Sequence, residues 1–177
     1  TLFFDEIQNL SKEGGNAVTA SEGILNLNGR YLYSKAGLSM DLASNADILV
    51  DEIISKNKGI KIHNSTSTKI IIDSNIVEGK SPDEESGVIT CISNSNLLLR
   101  NAKIRNVGSA NGSVGIYIDS NTNHIIELEN IIVVTFDPEE TNDKTIFRDG
   151  DTIDIKNSIV FLNKDALNIN FIIGTIT

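Results

Sequence analysis

The sequence predicts an all-β chain wound as a parallel β-solenoid, and three observations carry that expectation. Of its 177 residues, 28 are isoleucine and 21 asparagine, against nine aromatics and one methionine. β-Branched side chains suit pleated strands and asparagine suits tight polar turns, whereas a helical bundle would need more Leu, Ala and Glu. Alternating apolar segments recur at Ile24-Leu25-Asn26-Leu27, Ile48-Leu49-Val50, Ile70-Ile71-Ile72, Leu97-Leu98-Leu99, Ile126-Glu127-Leu128 and Ile153-Asp154-Ile155. A glycine-led series interleaves with them, at Gly37-Leu38-Ser39-Met40, Gly59-Ile60-Lys61-Ile62, Gly87-Val88-Ile89-Thr90 and Gly115-Ile116-Tyr117-Ile118. A short third strand fits between the two series, at Ile53-Ile54, Ile76-Val77, Ile132-Val133 and Ile159-Val160. Three short strands per turn, with the same turn chemistry each time, describe a solenoid. A β-sandwich with evenly spaced strands is the alternative, but it needs no repeated polar residue at one phase of successive turns.

In chain order, residues 1–15 come first. Phe3, Ile7 and Leu10 fall at i, i+4 and i+7 and are followed by Gly14-Gly15, a pattern that predicts a short amphipathic helix capping the open end of the rod. Residues 16–177 then form about six turns, on the order of 30 Å tall. Ser74, Asn101, Asn130 and Asn157 fall at one phase of their turns and are expected to stack as a polar ladder along the axis. Beside them, Asp51, Asp73, Arg100, Glu129 and Lys156 form a column whose signs alternate from Asp73 onward. The same register sends Tyr31, Ile54, Ile76, Ile132 and Ile159 outward in one column, interrupted by Lys103, and Leu49, Ile71 and Leu98 in a second. Such stripes point to a covering partner, unless a shift of one residue turns them inward. The last strand, Ile169 to Ile176, has no cap of its own, so a further segment or a partner is expected over it.

Turn lengths vary at one place only, the connection into the glycine-led strand. It is short from Ser55 to Lys58 and longer at 78–86, 105–114 and 135–144. Both prolines, Pro82 and Pro138, lie in these insertions, where no ladder hydrogen bond is lost. Insertions on one edge of a solenoid mark a binding edge. Two of them carry acidic clusters, Asp83, Glu84, Glu85 and Asp137, Glu139, Glu140, with Phe136 in the second. Tyr117 faces outward on a following strand. Aromatic faces suit sugar stacking, and paired carboxylates suit glycosidic acid–base chemistry or a calcium ion. The bland reading is a pair of solvated, self-repelling loops.

Composition excludes several classes. A net charge of −9 argues against nucleic-acid binding, and no apolar run reaches membrane-spanning length. The single cysteine, Cys91, excludes an internal disulfide and any zinc site of several thiolates, and its alternation with Ile89 points it inward. His63 and His124 occupy turns, and no Ser or Cys has a base nearby in sequence, so a nucleophilic triad is unsupported. With no starting methionine and no signal peptide, the chain reads as a processed or excised piece.

The run Phe4-Asp5-Glu6-Ile7-Gln8-Asn9-Leu10, then Gly14-Gly15, Gly29-Arg30-Tyr31-Leu32 and Gly37-Leu38-Ser39-Met40 resembles the opening of pectate-lyase-like right-handed parallel β-helices, including phage tailspikes and tail fibres. The superfamily's calcium-binding carboxylates and catalytic Arg or Lys have no matching motif here, so the resemblance implies a fold and no catalytic residue. It implies three rods packed side by side where an outer apolar stripe exists. The expectation is an extracellular or virion adhesion module, a homotrimer, whose insertion edge contacts polysaccharide. A polysaccharide lyase or hydrolase using the acidic insertions, and a purely structural fibre spacer, are the alternatives.

Overall fold

The computed structural model describes residues 1–80, 87–107, 114–119, 124–135, 144–148, 153–156 and 159–161. Strands β1 (Leu2–Asn9) and β2 (Val18–Ala20) make the first turn, and β3 (Ile24–Ser34) and β4 (Leu38–Leu42) the second. One long strand, β5 (Asn45–Ile62), bends through the whole third turn. The fourth is split into β6 (Ile70–Asp73), β7 (Ile76–Lys80) and β8 (Gly87–Cys91), and the fifth into β9 (Asn96–Arg100), β10 (Lys103–Asn106) and β11 (Val114–Ile118). Then come β12 (Ile125–Glu129), β13 (Ile132–Thr135) and β14 (Lys144–Arg148), with β15 (Ile153–Lys156) and β16 (Ile159–Phe161) beginning another turn. Every described pairing is parallel. The chain is therefore all-β, a parallel β-solenoid with three sheets running along its axis.

Alternation and register together build the core. Leu27, Ile48, Ile72, Leu99 and Leu128 lie in one inward file of the first sheet. Leu32, Ile53, Val77, Ile104 and Val133 form the file of the second sheet, and Met40, Ile60, Ile89 and Ile116 that of the third. All are buried, and Cys91 lies among them. Each large aliphatic side chain contributes about 1.5–3 kcal/mol on burial, against about 1 kcal/mol or less for an exposed ion pair. The inward files, and not the surface charges, hold the coil together.

The N-terminal segment corrects the sequence expectation. It is the strand β1, paired in parallel with β3 from Leu2↔Leu27 to Asn9↔Ser34, and among the described residues there is no helix. The reason is geometric. At the corner between the first and second sheets, inward positions lie three residues apart, as in Gly29/Leu32, Val50/Ile53 and Ser74/Val77. Phe4 and Ile7 copy that spacing, and a corner-broken strand and a helix share it.

The corner also separates the ladder residues. Asn130 donates its side-chain amide to Asn101 Oδ1 at 3.1 Å, and Asn101 donates to Asp73 Oδ1 at 3.0 Å. Both asparagines sit at positive φ, 60° and 55°, a conformation Asn tolerates, while Ala102 and Ile131 take the buried positions beside them. Ser74 has no such twist. It is buried, and its hydroxyl donates to the carbonyls of Ile76 and Asp51. Asn157 lies outside the described residues.

The outward apolar residues do not form two clean stripes. Tyr31, Ile76, Ile132 and Ile159 share a file with Glu6, Glu52 and Lys103. Ile54 belongs one file over, between Tyr33 and Glu78. Leu49 stacks on Asp73, in the place the sequence reading gave to Asp51, while Ile71 and Leu98 stack with Asp47 and Glu127. Charged residues interrupt every one of these files. Of the apolar members with described side chains, Leu49 is exposed and the others are half-buried.

Candidate functional site

Among the described residues, a concavity lies at the corner of the first three turns. Two nearly identical segments build it, Phe4-Asp5-Glu6-Ile7 in β1 and Val50-Asp51-Glu52-Ile53 in β5, with Gly29-Arg30-Tyr31-Leu32 of β3 between them. In each, the flanking residues face inward and the central pair projects outward, so Asp-Glu, Arg-Tyr and Asp-Glu stack one turn apart. Arg30 Nη1 meets Asp5 Oδ1 at 3.0 Å, and Asn75 Nδ2 reaches Asp51 Oδ1 at 3.5 Å from the next turn. The result is an open groove of about 310 Å3 lined by Asp5, Glu6, Arg30, Tyr31, Asp51 and Glu52.

An adjoining hollow of about 570 Å3 extends it towards Phe3, Phe4 and Leu49. Gly29 makes this floor possible. A Cβ there would lie 2.5 Å from the Phe4 ring, so only glycine lets the ring settle across the strand. Phe3 is 72% exposed beside it. Tyr31 stacks on Tyr33 with ring centroids 6.2 Å apart and planes 10° from parallel. Partial burial, the neighbouring Tyr33, and the carboxylates of Glu52, Glu6 and Glu78 push the Tyr31 phenol above its ordinary value of 10.0. It stays a neutral hydroxyl, able to donate and accept.

No protein-family model, curated protein or solved structure matches the chain. The chemistry of the corner is thus read from its own groups. Four carboxylates accept hydrogen bonds, one guanidinium donates them, and aromatic faces lie alongside. That combination suits a polyhydroxylated ligand, whose hydroxyls need both partners and whose C–H faces need apolar cover. Among the described residues, no group of three or more His, Cys, Asp or Glu is arranged to hold a metal ion.

Other sequence-derived candidates fall elsewhere. Asp83, Glu84, Glu85, Phe136, Asp137, Glu139 and Glu140, and with them the calcium expectation, lie outside the described residues. Tyr117 is a half-buried outward residue of the third sheet, stacked between Thr90 and the Phe147 position. It lies two turns further along the chain from β5 and on a different sheet from the corner groove, which stops at β5. The structure therefore does not bring it to the corner.

Sequence reasoning passed over two His–Asp pairs because their partners come together only through winding or a turn. His63 Nε2 meets Asp41 Oδ1 at 2.8 Å, and His124 Nε2 meets Asp119 Oδ1 at 2.8 Å. The second pair is nearly sealed, with the His124 side chain 2% exposed. Ser95 stands next to it, which superficially completes a triad. Its contact to His124 Nδ1 at 3.0 Å comes, however, from the backbone N–H, while its hydroxyl donates to the carbonyls of Ile62 and Ile92. Nδ1 is therefore an acceptor, Nε2 carries the proton to Asp119, and the Ser95 hydroxyl does not face the imidazole. The set is a buried clasp between turns. The corner groove escapes the sequence for another reason: Asp-Glu-Ile recurs at 5–7 and 51–53, but its first copy falls in the segment whose periodicity predicts a helix.

Proposed function

We propose that this chain is an extracellular or virion-associated adhesion module, of the tailspike or tail-fibre kind its opening residues resemble, that holds a polysaccharide against the Asp5–Arg30–Asp51 corner. The observation that carries this reading is the stacking of two Asp-Glu pairs around Arg30 and Tyr31, beside the Phe3–Phe4 hollow. Acceptors, a donor and apolar faces are set on paired strands, which hold them in a fixed relation. An assembly through the outer apolar columns loses support, since charged residues interrupt each of them.

A glycan panel followed by calorimetry tests the reading. Arg30→Ala, Tyr31→Ala and Glu52→Gln should each weaken binding about tenfold or more without moving the thermal midpoint appreciably, because these side chains lie outside the core. Binding that survives all three but is lost in Tyr117→Ala would move the site to the third sheet. Shortening of the bound glycan would replace adhesion with hydrolysis.

A further inference from the structure

The second sheet ends, on the side away from the corner groove, in a stripe of lysines. Three successive turns reach that edge alike. Leu32 and Ser34, Ile53 and Ser55, and Val77 and Gly79 are buried, while the residues that follow them, Lys35, Lys56 and Lys80, are exposed. The pairing Ser34↔Ser55 puts Lys35 and Lys56 on adjacent turns, and a bulge after Ile54 brings the exposed Lys58 directly opposite Lys80. Turns lie about 4.8 Å apart, so the four residues fall within about 10 Å along the axis, close to one Debye length at physiological salt.

Elsewhere the molecule pairs its charges. Arg30 meets Asp5, Arg100 meets Asp73, Arg105 meets Glu78 and Lys69 meets Glu127. Among the described residues, none of the four lysines has a carboxylate partner. Glu78, in the same row as Lys80, is committed to Arg105 at 3.0 Å. Like charges directly opposite one another are destabilising, and this chain has 24 acidic side chains to set against 15 basic ones. The cluster therefore costs the fold something, and an external anion would relieve that cost.

Chemistry narrows the occupant. Lysine is a compact point charge without the planar fork by which arginine grips a carboxylate, so a stripe of lysine alone suits tetrahedral sulfate or phosphate esters. Tyr31 and Tyr33 lead into Lys35 along one strand with their rings stacked, beside which sugar C–H faces can lie. The net charge of −9 repels a broad anionic surface such as a membrane, whereas a thin chain meets the stripe alone.

We propose that Lys35, Lys56, Lys58 and Lys80 hold the sulfate or phosphate esters of an anionic polysaccharide. Resting on the adhesion reading, this names its ligand class. Hydroxyl groups meet the corner groove, whose carboxylates turn anions away, and the charged substituents lie about 13 Å further along the strand, at the lysines.

Dextran, dextran sulfate and dextran phosphate are the probes, titrated into the 177-residue chain in EDTA so that no metal bridges them to a carboxylate. An esterified polymer should bind about tenfold or more above plain dextran, with log affinity falling against log salt at a slope of about −3 for four lysines. Replacing all four lysines by glutamine should flatten that slope and remove the preference without moving the thermal midpoint, since the side chains are exposed. Lys61→Gln with Lys69→Gln should leave the preference standing. Asp83-Glu84-Glu85 follows Lys80 in the sequence, and Asp83→Asn, Glu84→Gln and Glu85→Gln together should leave binding intact or tighten it. No preference for esters, equal losses in the control pair, loss on neutralising the acidic triplet, or tighter binding of a polyuronate or a single-stranded oligonucleotide would overturn the proposal. A glycan that binds through Arg30 and Tyr31 but gains nothing from esters refutes this ligand class alone. Ester binding that needs the lysines but neither Arg30 nor Tyr31 supports the stripe and contradicts adhesion at the corner.

Discussion

At the residue scale, the two histidines illustrate how burial divides similar chemistry into different roles. Both meet an aspartate at 2.8 Å, but only His124 also accepts a backbone N–H, from Ser95, inside the fold. Removing its ring leaves that donor and the Asp119 carboxylate without their partner, which costs about 1–3 kcal/mol. His63→Ala, at a site one-third exposed, should cost less than about 1 kcal/mol. Denaturant midpoints of the two alanine variants compare them directly, and equal losses would contradict the clasp. Tyr31 gives the pH prediction. Its phenol is raised in the folded chain and near 10.0 when unfolded, so above pH 10 the folded state holds a proton that the unfolded state has released. Stability from this group is thus complete below pH 10 and declines as pH rises through the folded-state value. Tyrosinate absorbance should show Tyr31 ionising late, and Glu52→Gln should bring it earlier by removing one of the carboxylates responsible. Cys91 was legible from alternation alone. Burial, with a smaller contribution from Asp119, raises its thiol far above the ordinary range, and thiol reagents should reach it only on unfolding.

At the element scale, the corner between the first and second sheets explains both what the sequence disclosed and what it concealed. Alternation within Ile70–Ile72 or Leu97–Leu99 identifies strands because one sheet face is buried throughout. Across the corner the inward spacing becomes three, and Phe4-x-x-Ile7 then imitates a helix. A two-residue offset in register separately places Ile54 and Leu49 in neighbouring files: Ile48 pairs with Ile72 and not with Ile70, so Leu49 meets Asp73 and Ile54 meets Glu78. Asparagine at the corner has a specific function that substitution can separate. Asn101→Ala puts a residue without a compensating amide into positive φ, at about 1–2 kcal/mol for the backbone and about 1 kcal/mol for each of the two lost hydrogen bonds, to Asp73 and from Asn130. Asn101→Gly should lose only the latter, so the alanine variant should be the less stable in thermal melts. Close approach between turns is more demanding still. A Cβ at Gly59 would lie 1.8 Å from the Val88 carbonyl oxygen, and Gly59→Ala should cost about 3 kcal/mol or more.

At the scale of the whole molecule, winding turns a linear repeat into surfaces that no local window contains. The corner groove joins residues from β1, β3 and β5, and each contributes two adjacent outward side chains. Its charges were therefore readable one by one, while their alternation along the axis depended on register. The insertion edge, in contrast, is visible in the sequence as variable turn length. The register itself is open to a direct test by paired cysteines on the solvent face, with Cys91 sealed in the core. Leu49 and Asp73 face each other across adjacent turns, within the Cα separation a disulfide accepts, whereas Leu49 and Ile71 are offset by two residues and exceed it. Under mild oxidation the chain carrying Leu49→Cys and Asp73→Cys should form an intramolecular disulfide, and the chain carrying Leu49→Cys and Ile71→Cys should stay reduced. The opposite outcome, or no bridge in either chain, would contradict the winding on which the corner site depends.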